Sequence, residues 1–257
     1  MAASIVASIA SGGAVGFSLG LLGGGGSILA VPLLLYVVGV SNAHVAIGTS
    51  ALAVSVSALA NFAGHARAGN VWWRCAIVFA AVGTLGALVA SSVAKAVDGE
   101  SLLFLFGLVM VGVGLAMLRP KIGIGGEPRP VDARMCWITA AVALATGALS
   151  GFFGIGGGFL IVPGLIAATG MPMINAIGSS LLAISAFGLA TALNYSASGL
   201  VDWAVALQFI GGGILGGAIG IAAAGRLSSR KGMLNRLFAV LVLCVAGYVL
   251  LKGTGGA

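Results

Sequence analysis

Two glycine-rich runs in this chain contain the residue types of a backbone anion site. The first run is Gly23, Gly24, Gly25, Gly26 and Ser27, and the second contains Gly154, Gly156, Gly157 and Gly158. Free N–H groups at a helix N-terminus bind anions because they lie at the positive end of the helix dipole. Glycine also lets a ligand approach the backbone closely. We therefore predict helices that begin near Ser27 and near Gly158, with an anion held where the two N-termini meet.

Two hydroxyl pairs offer side-chain ligands for the same anion. Thr49 and Ser50 end the segment AIGTS, and Ser179 and Ser180 end the segment AIGSS about 130 residues later. A hydroxyl donates a hydrogen bond to an anion without carrying a charge of its own. Because the pairs recur at the same place in the pattern, we predict that both contribute to substrate binding.

Polar residues also form a stripe in each half of the chain. Ser50, Ser57, Asn61 and His65 fall within about 80° of one another on a helix of 3.6 residues per turn. A second stripe is predicted at Ser180, Thr191, Asn194 and Ser198. Polar stripes at membrane depth face the protein interior, where they line a site or hydrogen-bond neighbouring helices. Asn61, His65 and Asn194 are therefore site candidates. Ser198 is taken as the residue near the place of His65, so a histidine function would be confined to one half.

The composition predicts that these elements lie in a membrane. Of the 257 residues, 60% are hydrophobic and only 7% are charged, against about 25% charged in soluble domains. The apolar runs are continuous rather than alternating, which excludes the period-two pattern of a transmembrane barrel. The net charge of +7 comes from basic residues in loops and at segment ends, so it does not indicate nucleic-acid binding.

The chain is organised as two similar halves. We predict an all-α polytopic membrane protein with a membrane repeat at 1–119, a cytoplasmic linker at 120–134 and a second repeat at 135–257. Each repeat has five apolar stretches, and the second stretch of each is short. That stretch is either a short tilted span or the return arm of a re-entrant hairpin. The apolar stretches are predicted at 3–22, 26–40, 43–66, 71–97 and 101–118, and at 136–153, 157–170, 174–198, 202–225 and 234–251.

Basic residues predict the orientation. The loop that follows Arg67, the central linker and the loop near Arg230 are rich in Lys or Arg and should be cytoplasmic. The loop at Asp98 is net acidic, and the loop before Asp202 has no basic residue, so both should face outward. One topology satisfies all five assignments. It places both ends of the chain outside and makes the two repeats inverted, with glycine-broken or re-entrant helices meeting near the midplane.

The absence of certain motifs narrows the function. No Asp or Glu lies in the interior of an apolar stretch, since Asp202 is at an edge, although cation-coupled transporters usually need intramembrane carboxylates. The sequence has no HExxH, GxSxG or Walker motif and no metal-ligand spacing. We therefore expect neither an enzyme nor a cofactor or metal site. The glycines at 211–213, 216 and 217 are predicted to serve close helix packing.

The chain resembles the sulfite exporter TauE/SafE family of bacterial membrane transporters. The resemblance rests on GLLGGGGSILAVPLLL, AIGTSA, NFAGHARAGNVWWR, GIGGGFLIVPGL, GMPMINAIGSS and GLVDWAVALQFIGGGILGG, in this order. It implies alternating-access transport, in the direction of export, of small sulfur-containing anions such as sulfite or organosulfonates across the inner membrane. It also implies that the glycine runs and the two hydroxyl pairs bind the substrate, with Asn61 and His65 as weaker candidates.

Several alternatives stay open at this level. The same loops could form an anion channel, the substrate could be another small organic anion, and the chain could be a membrane enzyme or an assembly subunit. The expected partners are a small anionic substrate and the lipid bilayer, with no nucleic acid, and a homodimer is possible.

Overall fold

The structure, a computed structural model, describes residues 2–118, 133–153, 158–227 and 233–254, which form helices joined by short loops. Helices α1 to α5 belong to the first half and α6 to α10 to the second. They are α1 Ala2–Leu22, α2 Ala30–Leu33, α3 Ala43–Arg67, α4 Trp73–Ala94, α5 Gly99–Leu118, α6 Ala133–Phe153, α7 Gly158–Thr169, α8 Met173–Ser196, α9 Trp203–Leu227 and α10 Met233–Thr254. The predicted apolar stretches and these helices agree to within a few residues, except that α2 covers only part of the predicted stretch 26–40.

The first glycine run turns the chain back on α1. Gly23 has a left-handed φ of 63°, which glycine adopts without steric cost. A methyl group added to Gly26 would overlap the backbone of Ser18 and Leu19, so the chain folds tightly against the last turns of α1. Residues 23–38, which we call the return arm, then pack along α1. The short second stretch of the first half is thus one arm of a hairpin.

The return arm consists of three helical segments of different types. It contains a 3-10 helix at Gly23–Leu29, the single α-helical turn α2, and a π-helical turn at Leu34–Val38. The prediction of an α-helix that begins at Ser27 is therefore wrong. The four glycines are coiled into the 3-10 helix, because glycine offers no side chain that would oppose the tighter winding. In the second half, the described part of α7 runs from Gly158 to Thr169, and residues 154–157 lie outside the described chain.

Five helical segments of the described chain are long and apolar enough to cross a membrane, namely Ile5–Val38, Ala43–Arg67, Trp73–Ala94, Met173–Ser196 and Trp203–Leu227. The first of these includes the hairpin turn, so it is not one straight span. Large apolar side chains on α4 and α9, such as Leu85 and Leu215, are 63% and 70% exposed. Lipid is the solvent that such surfaces require.

The helix contacts between the two halves occur in equivalent pairs, in which corresponding helices of the two halves take each other's place. The contact of α1 with α9 has its counterpart in that of α4 with α6, and the contact of α3 with α9 in that of α4 with α8. The corresponding helices α3 and α8 run antiparallel, since Gly48 lies against Leu200 near one end of the pair and Gly178 lies against Asn70 near the other. Helices α5 and α10 also run antiparallel, because Gly107 meets Leu250 and Gly114 meets Leu243.

Glycine contacts hold the two closest helix pairs together. Gly12, Gly16 and Gly20 of α1 abut Phe209, Gly213 and Gly217 of α9, and Gly147 and Gly151 of α6 abut Gly83 and Ala87 of α4. Small residues spaced by four let helix backbones approach in lipid. The packing role predicted for the α9 glycines is confirmed at Gly212, Gly213, Gly216 and Gly217, whereas a methyl group at Gly211 would meet nothing within 4 Å.

Candidate functional site

The two glycine runs touch each other. A methyl group on Gly24 would overlap the backbone of Gly158, and a methyl group on Gly158 would overlap the backbone of Gly24. Gly23, Gly24, Gly25, Gly26 and Gly158 are all buried. The meeting of the runs is thus as predicted for these residues, whereas Gly154, Gly156 and Gly157 lie outside the described residues. The contact places the N-terminus of α7 beside the 3-10 helix of the return arm.

Ser180 lies against this contact. A methyl group on Gly23 would lie 2.9 Å from Ser180 Oγ, so the second hydroxyl pair is adjacent to the first glycine run. Ser180 Oγ donates to the carbonyl of Ile177 at 2.8 Å, and Ser50 Oγ donates to the carbonyl of Ile47 at the same distance. Ser27 Oγ likewise donates to the carbonyl of Gly24 at 2.8 Å. These hydroxyls are fully buried and satisfied within their own helices.

Thr49 and Ser179 have a different and reciprocal contact. Thr49 Oγ1 accepts a hydrogen bond from the backbone N–H of Asp202 at 2.9 Å, and Ser179 Oγ accepts one from the N–H of Trp72 at 3.0 Å. Asp202 and Trp72 immediately precede α9 and α4. The glycine before each hydroxyl, Gly48 or Gly178, allows the opposing loop to approach closely. The Gly48-Thr49 and Gly178-Ser179 dipeptides therefore hold each half against the other. We call the two hydrogen bonds, from Asp202 to Thr49 and from Trp72 to Ser179, the clamps.

Asn61 and His65 face α1 rather than the glycine runs. Asn61 Nδ2 donates to the carbonyl of Gly16 at 3.4 Å, and His65 Nε2 donates to the carbonyl of Gly20 at 2.9 Å. Asn70 Nδ2 donates to His65 Nδ1 at 3.4 Å. A carbonyl only accepts and an amide N–H only donates, so these partners assign His65 as the neutral Nε2–H tautomer. Both side chains are buried, and each links α3 to the end of α1 that leads into the hairpin.

The place of His65 in the second half is taken by Tyr195, not by Ser198. The clamps relate α3 to α8 through Gly48 with Gly178 and Thr49 with Ser179, and this register assigns Tyr195 to the position of His65. Ser198 lies beyond the end of α8, which ends at Ser196, and is exposed. Ser198 is thus three residues from the equivalent place, which an aromatic residue occupies.

Asn194 lies in a polar cluster that sequence reasoning did not find. Its side-chain Nδ2 donates to Ser91 Oγ at 2.6 Å and to Ser92 Oγ at 2.9 Å, while its Oδ1 accepts from Lys95 Nζ at 2.7 Å. The cluster joins the ends of α4 and α8. Lys95 could have been noticed as the only basic residue in a loop region expected to face outward, but its contact with Asn194 depends on how α4 packs on α8.

A surface cavity of about 240 Å³ lies away from these residues, between the return arm and α10. Its lining is largely apolar and includes Pro32, Tyr36 and Tyr248. It contains none of the predicted site residues, so cavity size does not mark the candidate site in this structure. The glycine runs are instead in direct backbone contact.

Comparison with known proteins agrees with this architecture. The family model described as "Sulfite exporter TauE/SafE" matches residues 8–249, which is nearly the whole chain. The chain belongs to the sulfite exporter TauE/SafE family. A probable membrane transporter protein of Xylella fastidiosa is 60% identical over 248 residues, covering 96% of this chain and 95% of the relative. The probable membrane transporter protein YunE of Bacillus subtilis is 28% identical over 255 residues, covering 90% and 92%. No solved structure matches the chain.

The family and these relatives establish a membrane transporter. Transporters of this kind are generally not enzymes, and no catalytic activity is indicated by the names of the relatives. TauE/SafE membership also accounts for the coarse features of the fold, which are helical segments long enough to span a membrane and a large apolar outer surface.

Proposed function

We propose that this TauE/SafE protein is a secondary transporter of small sulfur-containing anions, such as sulfite or organosulfonates, in the bacterial inner membrane. The observation that carries the proposal is the contact between Gly24 and Gly158, with Ser180 against Gly23. Backbone N–H groups and hydroxyls are hydrogen-bond donors suited to an oxyanion. The substrate site that we propose comprises the two glycine runs, Ser27 and the two hydroxyl pairs, supported from α3 by Asn61 and His65. Asn194 lies instead at the far end of α8, in the cluster with Lys95.

The same helix arrangement supports alternating access. Equivalent helices of two repeats run antiparallel when a two-fold axis lies in the membrane plane, and this is the relation between α3 and α8. We therefore assign the halves as inverted repeats. Exchange of the local conformations of the two repeats would then open the glycine contact first to one side of the membrane and later to the other.

The direction of transport follows from the charges available. The sequence has no carboxylate inside an apolar segment, so a cation has no obvious intramembrane ligand. Export of an anion from a negative-inside cell is favourable by about 2.3 kcal/mol per charge per 100 mV. Export as uniport therefore needs no coupling ion, whereas uptake would. We assign export for this reason.

The close contact of the glycine runs favours a carrier over an open channel. Backbone atoms fill the position where the two runs meet, so the runs must separate for a substrate to pass. A carrier that cycles in this way saturates with substrate, and its flux stays far below that of an open pore.

The proposal is tested by flux in liposomes that contain only this protein. We expect saturable flux of labelled sulfite, competition by sulfoacetate and weaker competition by sulfate. An equivalent flux in liposomes without protein would contradict transport. Currents that do not saturate with sulfite would indicate a channel, and competition by unrelated organic anions alone would indicate a different substrate.

A further inference from the structure

One end of the bundle contains a lysine ammonium whose bonding partners are all neutral. Lys95 Nζ donates to the carbonyl of Asn194 at 3.3 Å, to its Oδ1 at 2.7 Å and to Ser198 Oγ at 2.9 Å. Its Nζ also lies 6.0 Å from the centroid of the Tyr195 ring. Within the described chain, none of these contacts is with a carboxylate, so the positive charge at this half-buried position is not balanced by a partner.

Beneath this ammonium lies a buried hydroxyl without a hydrogen-bond partner. Tyr195 is 0% exposed, and its OH has no partner among the described residues. The ring of His44 also lies near the tyrosine, with ring centroids 6.4 Å apart. Its Nδ1 is buried and also lacks a partner in the described chain. Buried polar atoms are almost always hydrogen-bonded, so two such atoms beside one aromatic ring indicate a ligand that this structure does not contain.

The two carboxylates that the structure describes at this end, Asp98 and Asp202, have other partners. Asp202 Oδ1 accepts from the N–H of Val205 at 3.0 Å, and Asp98 Oδ2 accepts from the N–H of Ser101 at 3.2 Å. These bonds direct the two acids to the N-termini of α9 and α5, where the helix dipoles favour negative charge. The acids therefore hold helix ends rather than neutralising Lys95.

Among the described residues, the positions equivalent to Lys95, Asn194 and Ser91 do not repeat this cluster at the opposite end of the bundle. In the register set by the Thr49 and Ser179 clamps, Lys95 corresponds to Gly225 and Asn194 to Gly64. Gly64 lies against Ile221, which corresponds to Ser91, so the same helix contact is apolar at the opposite end. The repeat architecture does not require the polar cluster, which must serve something specific to this end.

We propose that Lys95, Tyr195 and His44 form a binding site for a small oxyanion at this end of the bundle. The proposal rests on the proposed function, because the site would hold the transported anion before its release to the outside. The ammonium supplies charge, the tyrosine hydroxyl donates one hydrogen bond, and the imidazole of His44 donates a second when Nδ1 carries the proton. An anion outcompetes the neutral oxygens now bonded to Lys95, since hydrogen bonds between charged partners are about twice as strong.

Direct binding tests the site. Sulfite is titrated calorimetrically into purified protein in phosphatidylcholine nanodiscs, with Lys95→Met and Tyr195→Phe compared with the wild type. We expect affinity to fall about tenfold or more in Lys95→Met, because bonds to charged groups are the strong ones, and severalfold in Tyr195→Phe. Lys95→Arg keeps the charge and should retain most of the affinity, and Tyr248→Phe is the matched tyrosine control. Thermal unfolding confirms that each variant is folded.

The outcomes separate this site from the proposed function. Folded Lys95→Met and Tyr195→Phe proteins with wild-type affinity would overturn the site, and so would a wild type that does not bind sulfite. Wild-type flux together with unchanged binding in the variants would refute the site and leave transport intact. Binding that depends on Lys95 without any wild-type flux would refute transport and leave the site intact. A sulfite affinity that rises steeply when the same protein is measured in phospholipid-free detergent would show that a lipid phosphate occupies the position in the bilayer, and would overturn a free-anion site.

Discussion

Thr49 Oγ1 accepts a hydrogen bond from the backbone N–H of Asp202 at 2.9 Å, although 153 residues separate the two in the chain. The equivalent bond from Trp72 to Ser179 has a length of 3.0 Å. Each half of the protein therefore holds the start of a long helix in the other half. The accepting hydroxyls belong to the repeated segments AIGTS and AIGSS. Two of the candidate anion ligands, Thr49 and Ser179, therefore also hold the two halves together.

Removal of a clamp should loosen the association of the halves. Thr49→Ala removes the acceptor of the half-buried N–H of Asp202, which costs about 1 kcal/mol of stability, and Ser179→Ala should have a similar effect. Thr49→Ser retains the hydroxyl and is the control. The measurement is thermal unfolding of the purified protein.

The same hydroxyls should also affect substrate affinity. With the KM for sulfite determined in liposomes, we expect the KM to rise in Thr49→Ala, Ser179→Ala and Ser50→Ala. If all three kept wild-type KM while folded, these hydroxyls would not contact the substrate.

The glycine contact should not tolerate a single methyl group. Gly158→Ala or Gly24→Ala drives a methyl group into the backbone of the opposite run, so either change should abolish flux or prevent accumulation of folded protein. Gly112→Ala is the control, since a methyl group there meets nothing within 4 Å and alanine favours a helix over glycine by up to about 1 kcal/mol. Flux assays and the yield of monodisperse protein are compared. Wild-type flux in Gly158→Ala would contradict the packing on which the site depends.

His65 should act as a neutral hydrogen-bonding residue. Glutamine can donate to the carbonyl of Gly20 and accept from Asn70, so His65→Gln should keep most of the flux, whereas His65→Leu should lose stability and flux together. The comparison is made at several pH values in liposomes. Were His65 instead a proton carrier, His65→Gln would uncouple transport from the proton gradient as severely as His65→Leu.

The inverted topology predicts opposite sidedness for two equivalent loops. Ala68 and Ala197 are both exposed and follow α3 and α8. In a background without native cysteines, a membrane-impermeant thiol reagent added to intact cells should label Ala197→Cys and not Ala68→Cys. Labelling of Ala68→Cys after the cells are opened is the control. Equal labelling of the two positions from outside would refute the inverted arrangement.

Much of the fold could be predicted because its causes are local in sequence. Continuous apolar runs define the helices, and the two glycine runs are visible as departures from them. The 3-10 winding at Gly23–Leu29 could not be predicted, because glycine permits several conformations and the packing against Ser18 and Leu19 selects one. The correct counterpart of His65 was missed because a buried tyrosine is not recognisable as polar from spacing alone.

The contacts of the site depend on distant packing. That Thr49 and Ser179 would bind helix starts in the opposite half follows from the antiparallel pairing of α3 and α8, which no single segment encodes. The Lys95 and Asn194 contact similarly requires α4 to lie against α8. Sequence identified these hydroxyls and amides as functional candidates, but not which of them hold the two halves together and which lie beside the glycine runs.

The central claim is that the protein moves a small anion without a compensating cation. Its most direct test is sulfite efflux from liposomes that contain only this protein, under a potential imposed by a potassium gradient and valinomycin. An inside-negative potential should accelerate efflux and an inside-positive potential should slow it, with the Gly158→Ala protein inactive in both. Sulfite efflux that is the same at every imposed potential, or no different from that of protein-free liposomes, would contradict the claim.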